Sequence, residues 1–232
     1  NYPDLCDYYV CNQCIKMWYK RSRGFQKPPL GAQIDWGHPL TRNLYFCCLL
    51  NENRGNKTLD LVRKMTGNFF NNPSWEGGWR EPAVKFTNSA NTYINFPVYN
   101  LSTPNFSVMA KFNCFTFPAI STIIAQADTG NNEKMIVRLG DAGFPTNQVQ
   151  FILNASGENK LDGNLPLLAN QPYIVVCTYN GESMKIYING YLDASNSLVA
   201  TPTQNEIVCF SRSWDIRAFN GKIHLGYIWL RT

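Results

Sequence analysis

No apolar run in this chain is long enough to cross a bilayer as a helix. The densest, over residues 44–50, stops at Asn51, far short of the roughly 18 residues a span needs. Histidine is scarce as well. A serine or cysteine nucleophile would have to draw its base from one of two residues, His38 before Pro39 or His224 in the last apolar stretch. Neither has a catalytic motif around it, and a structural hydrogen bond is the simpler use of both. The glycines are scattered over turn positions, which excludes a phosphate-cradling loop. Charged residues make up only 16% of the chain, and among its 16 acids only Glu158 and Asp162 have the spacing of strand neighbours on one face. A retaining glycosidase holds its two carboxyls about 5 Å apart, a distance that such spacing on a strand supplies. Here the pair falls in Ser156-Gly157-Glu158-Asn159-Lys160-Leu161-Asp162-Gly163, which reads as a polar loop, so no enzyme is expected.

Charge of one sign is also limited. Lys and Arg number 21 against 16 Asp and Glu, and the excess of +5 leans on Lys16, Lys20, Arg21, Arg23 and Lys27. The remainder is nearly balanced, unlike the positive face of a nucleic-acid protein. What the chain does have is core material: 44% hydrophobic and 14% aromatic residues, enough for one large β domain. It begins at Asn1 with no basic, then apolar, leader in view, and a signal peptide upstream stays open.

Residues 1–29 read as an arm and 30–232 as the domain. The arm carries Tyr8, Tyr9, Trp18, Tyr19, Arg21 and Arg23 and ends in Pro28-Pro29, a pair that favours an extended connector. It is too short for a core of its own, so its aromatic and basic side chains are expected to anchor on another protein chain, with packing along its own sheet as the alternative. Cys6, Cys11 and Cys14 have partial metal-ligand spacing, which leaves zinc, a disulfide or free thiols open. Cys47, Cys48, Cys114 and Cys177 lie in apolar runs and read as buried thiols.

Beyond residue 44 the pattern is strand and turn. Phe106, Val108, Ala110 and Phe112 alternate with Ser107, Met109, Lys111 and Asn113, the period of a half-buried strand. Asn180-Gly181 should join the run 173–179 to Met184, Ile186 and Ile188 as an antiparallel hairpin, and Asn189-Gly190 should turn the chain again. Further strands are expected at 83–87, 92–96, 120–126, 134–139, 148–154, 206–211 and 222–230. The best helical candidate is one turn over 59–65, with Asp60 as its cap. Many short strands without crossover helices predict an all-β fold of two packed antiparallel sheets, with Phe106, Val108, Phe112, Ile186 and Ile188 in the core.

Several segments in order and spacing carry a resemblance. They are Ile34-Asp35-Trp36-Gly37-His38-Pro39-Leu40, Leu50-Asn51-Glu52-Asn53, Thr58-Leu59-Asp60-Leu61-Val62, Trp75 with Ala83-Val84-Lys85-Phe86, Tyr93-Ile94-Asn95-Phe96, Met184-Lys185-Ile186-Tyr187-Ile188-Asn189-Gly190 and Phe219-Asn220-Gly221-Lys222-Ile223. Over about 200 residues the chain resembles the concanavalin A-like, laminin G-like jelly-roll family, in a form similar to versions encoded by tailed bacteriophages. The resemblance implies a jelly-roll sandwich preceded by an extended arm. It points to a non-enzymatic virion decoration protein on the phage particle surface, part of an oligomeric assembly, held by its arm to other virion proteins and able to bind surface glycans. The alternatives are a carbohydrate-binding module of a larger secreted protein and, behind it, an atypical glycoside hydrolase. No cofactor is required, although some relatives hold calcium, and Asp128, Asn131, Asn132 and Glu133 form the most oxygen-rich loop. For a glycan, Trp214 with Arg212 and Asp215 on a polar loop is the expected contact.

Overall fold

The computed structural model describes residues 27–77, 81–100, 105–127, 133–141, 143–154, 158–199, 205–212 and 217–232. In chain order the strands of the first half are β1 (Leu44–Cys48), β2 (Lys57–Leu59), β3 (Thr66–Phe70), β4 (Ser74–Glu76), β5 (Ala83–Phe86), β6 (Tyr93–Asn100), β7 (Phe106–Cys114) and β8 (Ser121–Ala127). Those of the second half are β9 (Glu133–Asp141), β10 (Phe144–Asn154), β11 (Glu158–Asp162), β12 (Pro172–Tyr179), β13 (Ser183–Ile188), β14 (Tyr191–Ser197), β15 (Asn205–Phe210) and β16 (Gly221–Trp229). They form two antiparallel sheets of eight. The first runs β14-β13-β12-β7-β16-β5-β4, with β1 also on β16, and the second runs β11-β10-β9-β8-β15-β6-β3-β2. The expected all-β jelly-roll sandwich is the observed fold.

The sheets form because each strand alternates a core residue with an outward one. Phe106, Val108, Phe112, Ile186 and Ile188 are all buried between the sheets, as expected. Phe46 of β1, Phe96 of β6 and Phe210 of β15 meet edge to face or tilted across the gap, with centroids 4.9–6.2 Å apart. Each buried ring is worth roughly 1.5–3 kcal/mol of apolar burial. Gly226 of β16 makes room for one of them, because a Cβ there would lie 2.5 Å from the Phe210 ring. The hairpins are as expected: Asn180 Oδ1 accepts from the Glu182 and Ser183 amides, and Asn189 and Gly190 both take positive φ between β13 and β14.

Three expectations are corrected. Residues 59–65 form no helix. Asp60 Oδ1 and Oδ2 do accept from the Val62 and Arg63 amides, but Asp60 also bridges to Cys48 and holds a turn between β2 and β3. The strand over 106–114 is not half-buried. Ser107, Met109 and Lys111 on its outward face are buried too, because Leu44, Leu225, Tyr227 and Trp229 on the same sheet form a second apolar cluster with Ile34 and Leu49 from the segments flanking β1. Alternation cannot reveal a layer that another segment supplies. Finally, Glu158–Asp162 is a strand, β11, because its backbone pairs with β10 and Leu161 enters the core, which outweighs its polar composition.

The segment leading into β1 packs on the outside of the first sheet. The Lys27 ammonium donates to the carbonyls of Leu49, Leu50, Pro82 and His224, and Pro28 O accepts from Asn51 Nδ2 at 2.8 Å. His38 Nδ1 accepts from the Leu40 amide and caps a short 3-10 turn, Pro39–Thr41, and Trp229 Nε1 donates to Leu40 O. The opening motif of the domain is therefore a clasp over β1 and β16.

Candidate functional site

Three strands of the second sheet build the candidate site on its outward face. In β6 the alternation that sends Ile94 and Phe96 into the core turns Tyr93 and Asn95 outward. The register sets Phe70 of β3 opposite Tyr93, and Asn68 opposite Asn95. The Tyr93 and Phe70 rings stack 4.8 Å apart at an interplanar angle of 10°. From the other side, just past β15, the Arg212 guanidinium lies 4.5 Å from the Tyr93 centroid. Because β15 and β3 flank β6 on opposite edges, Phe70, Tyr93 and Arg212 form one layered stack across three strands.

Ser211 fixes the arginine. It is buried with φ at +64°, a conformation that costs a non-glycine residue on the order of 1 kcal/mol. Two hydrogen bonds hold it there: its Oγ donates to Thr92 O at 2.8 Å and accepts from the Phe219 amide at 2.9 Å. Both partners belong to neighbouring segments of the sandwich, so the chain leaves β15 in a set direction. Phe70 is 40% exposed, and Asn95 Oδ1 is buried without a hydrogen-bond partner. Flat rings, side-chain amides and a guanidinium are the groups that receive the apolar faces and hydroxyls of a sugar.

Of the residues singled out in the sequence, Arg212 falls in this stack. Trp214 and Asp215 lie outside the described residues, as do Asp128, Asn131 and Asn132, while Glu133 is described only as the first backbone position of β9. Cys6, Cys11 and Cys14, and the arm residues Tyr8, Tyr9, Trp18, Tyr19, Arg21 and Arg23, are also outside. Among the described residues no three His, Cys, Asp or Glu side chains gather as a metal site. Sequence reasoning missed Phe70, Tyr93 and Asn95. The alternation of Tyr93 with Ile94 was visible, but pairing β3 with β6 was not.

Several of the described acids are drawn into fixed partnerships. Glu76 pairs with Lys222 and Lys85, and the hydrogen bond from Lys222 is the main reason its carboxyl is held below the usual range. Asp141 binds Arg138 at 2.6 Å and Lys160 at 2.7 Å, and Asp162 accepts from Gln150 at 2.6 Å. On the first sheet Glu81 meets Lys111 at 2.5 Å, with His224 Nδ1 3.8 Å away. Burial, then the charges of Lys27 and Lys111, push the imidazole of His224 down to about 4. The Lys27 ammonium is pulled down to about 7 by burial, while the carbonyl dipoles around it favour its charged form. A cleft of about 190 Å³ between Leu30, Ala32, Leu49, Glu52 and Leu61 lies beside this region. Its carboxylate, Glu52, is engaged by Thr58 Oγ and the Leu59 amide.

A family model described as the concanavalin A-like lectin/glucanases superfamily matches residues 88–232. No curated protein is similar enough to count as a relative. Among solved structures, domain 4 of AbnA, an extracellular arabinanase from Geobacillus stearothermophilus in complex with arabinotriose, aligns with a TM-score of 0.65. Identity there is 16%, over 82% of this chain and 93% of that one. The binding domain of botulinum neurotoxin DC in complex with SialylT gives 0.62 at 16% identity, covering 82% of this chain and 48% of that one. Trypanosoma rangeli sialidase in complex with sialic acid gives 0.60 at 16% identity, covering 82% of this chain and 31% of that one. At these identities the likeness is one of fold.

Proposed function

We propose that this chain, which belongs to the concanavalin A-like lectin/glucanase superfamily, is a non-catalytic glycan-binding jelly-roll that decorates a phage particle. The observation that carries the binding is the Phe70–Tyr93–Arg212 stack on the outward face of the second sheet. A sugar ring packed on the exposed Phe70, with Tyr93 stacked behind it, would gain dispersion and displace weakly held water. The structural neighbours whose ligands are arabinotriose and sialic acid lend support at the level of fold.

The decoration role rests on the phage-like opening motif and on where the arm joins. The chain enters at Lys27, against β1 and β16 of the first sheet, while the stack faces away on the second. The arm, residues 1–29, holds the protein to other virion proteins through Tyr8, Tyr9, Trp18, Tyr19, Arg21 and Arg23, and the stack points outward from the particle. Binding needs no cofactor. A module of a larger secreted protein is the second reading, favoured by the nearly complete coverage of one domain of an extracellular arabinanase.

The test is a glycan array probed with the full chain, followed by titration of each hit against Phe70→Ala and Tyr93→Ala. Loss of a ring should weaken a hit about fivefold or more. Array hits that both variants keep at full strength would move the site elsewhere, and hydrolysis of any hit would overturn the non-catalytic reading.

A further inference from the structure

We propose that the glycan is acidic: the sugar on this stack carries a carboxylate, and Arg212 is the group that reads it. This rests on the glycan-binding reading above and specifies its ligand class. Five cationic side chains of the sandwich hold carboxylates. Lys85 and Lys222 share Glu76, Lys111 takes Glu81, and Arg138 and Lys160 share Asp141. Arg212 differs. Its guanidinium lies over Tyr93 and has no carboxylate partner among the described residues.

The geometry favours a carboxylate over other partners. A guanidinium stacked on a ring has its face covered and its N–H groups directed along its edge, where they match the two oxygens of a carboxylate. Neutral hydroxyls need no cation. Holding a partly buried charge here without an anion forfeits hydration and gains only the ring contact. Phe70 then takes the apolar side of the ring. The stack thus offers an acidic glycan a flat face at Phe70 and a cation at Arg212.

The experiment uses the full chain and matched probes: 3′-sialyllactose and trigalacturonate, the methyl ester of each, and lactose. The ester keeps the ring and removes the charge. The expected result is that the parent binds at least one acid about tenfold or more tighter than its ester. Arg212→Gln should erase that preference and Arg212→Lys restore only part of it, while Phe70→Ala weakens acid and ester alike. Equal binding of acid and ester by the parent, or a preference that survives Arg212→Gln, overturns the inference. If neutral glycans bind and depend on Phe70 and Tyr93, glycan binding stands and the acidic reading falls. If no probe and no array glycan binds, both fall.

Discussion

Asp60 is the most exacting polar contact in the sandwich, and replacing it with asparagine should cost about 2–4 kcal/mol of stability. The carboxylate is fully buried and accepts four donors. Oδ1 takes the amides of Cys47 and Val62, both at 3.0 Å. Oδ2 takes the Tyr99 hydroxyl at 2.8 Å and the Arg63 amide at 3.3 Å. Cys47 lies in the first sheet and Tyr99 in the second, so one side chain ties the two layers to the turn after β2. Asparagine keeps one oxygen. The pair on Oδ1 survives without its charge, the Tyr99 hydroxyl must reverse to accept, and the Arg63 amide is left facing a donor. Hydrogen bonds to a charged group contribute roughly 1.5–3 kcal/mol each. Weakening three and losing the longest therefore gives the estimate above.

The assay is urea unfolding followed by tryptophan fluorescence, with m-values checked for equality so that midpoints compare stability alone. Tyr99→Phe should cost about 1–3 kcal/mol, because it leaves Oδ2 short of its closest donor. The double variant should fall short of the sum by about 1 kcal/mol or more, since both changes remove the same bond. Asp60→Asn within about 0.5 kcal/mol of the parent would refute the reasoning and show that the four bonds merely replace hydration.

Other consequences can be measured directly. Gly226→Ala should cost about 1–3 kcal/mol, since its Cβ would fall 2.5 Å from the Phe210 ring, and an unchanged unfolding midpoint would refute the close contact. Cys47, Cys48, Cys114, Cys177 and Cys209 are buried free thiols, and burial pushes Cys114 up to about 12, so all five should resist a thiol reagent until the chain unfolds. Lys27 titrates near 7 in the folded protein against an ordinary 10.5, so the unfolded chain holds more protons between these values. Stability should therefore rise with pH across that window, and Lys27→Met should flatten the rise.

The strands that could be read from the sequence are those whose alternation needs no partner to interpret. In β7 and β13 every second residue is apolar, and Gly181 between β12 and β13 and Asn189-Gly190 between β13 and β14 supply the positive φ that these hairpins require. The edge strand β11 was hidden, because its pairing with β10 is made by backbone groups and only Leu161 marks the core side. The second layer outside the first sheet was hidden for a related reason. Met109 and Lys111 look like solvent-facing positions until the clasp after Lys27 is laid over them.

The stack shows the same limit at the level of function. Period two states that Tyr93 and Asn95 share a face, and it does so from local sequence alone. That Phe70 stands beside them follows from the β3–β6 register, and that Arg212 closes the other flank follows from β15 lying between β6 and β8. Both pairings join segments far apart in the chain, and neither is encoded in the residues that stack. Arg212 was accessible as a polar loop residue next to a tryptophan, whereas its place over Tyr93 depends on Ser211 being held in a left-handed turn by Thr92 and Phe219. A site of this kind is assembled by sheet order. The chemistry to look for in similar chains is therefore an aromatic pair at matching outward positions of two neighbouring strands, flanked by an arginine just beyond the end of a third.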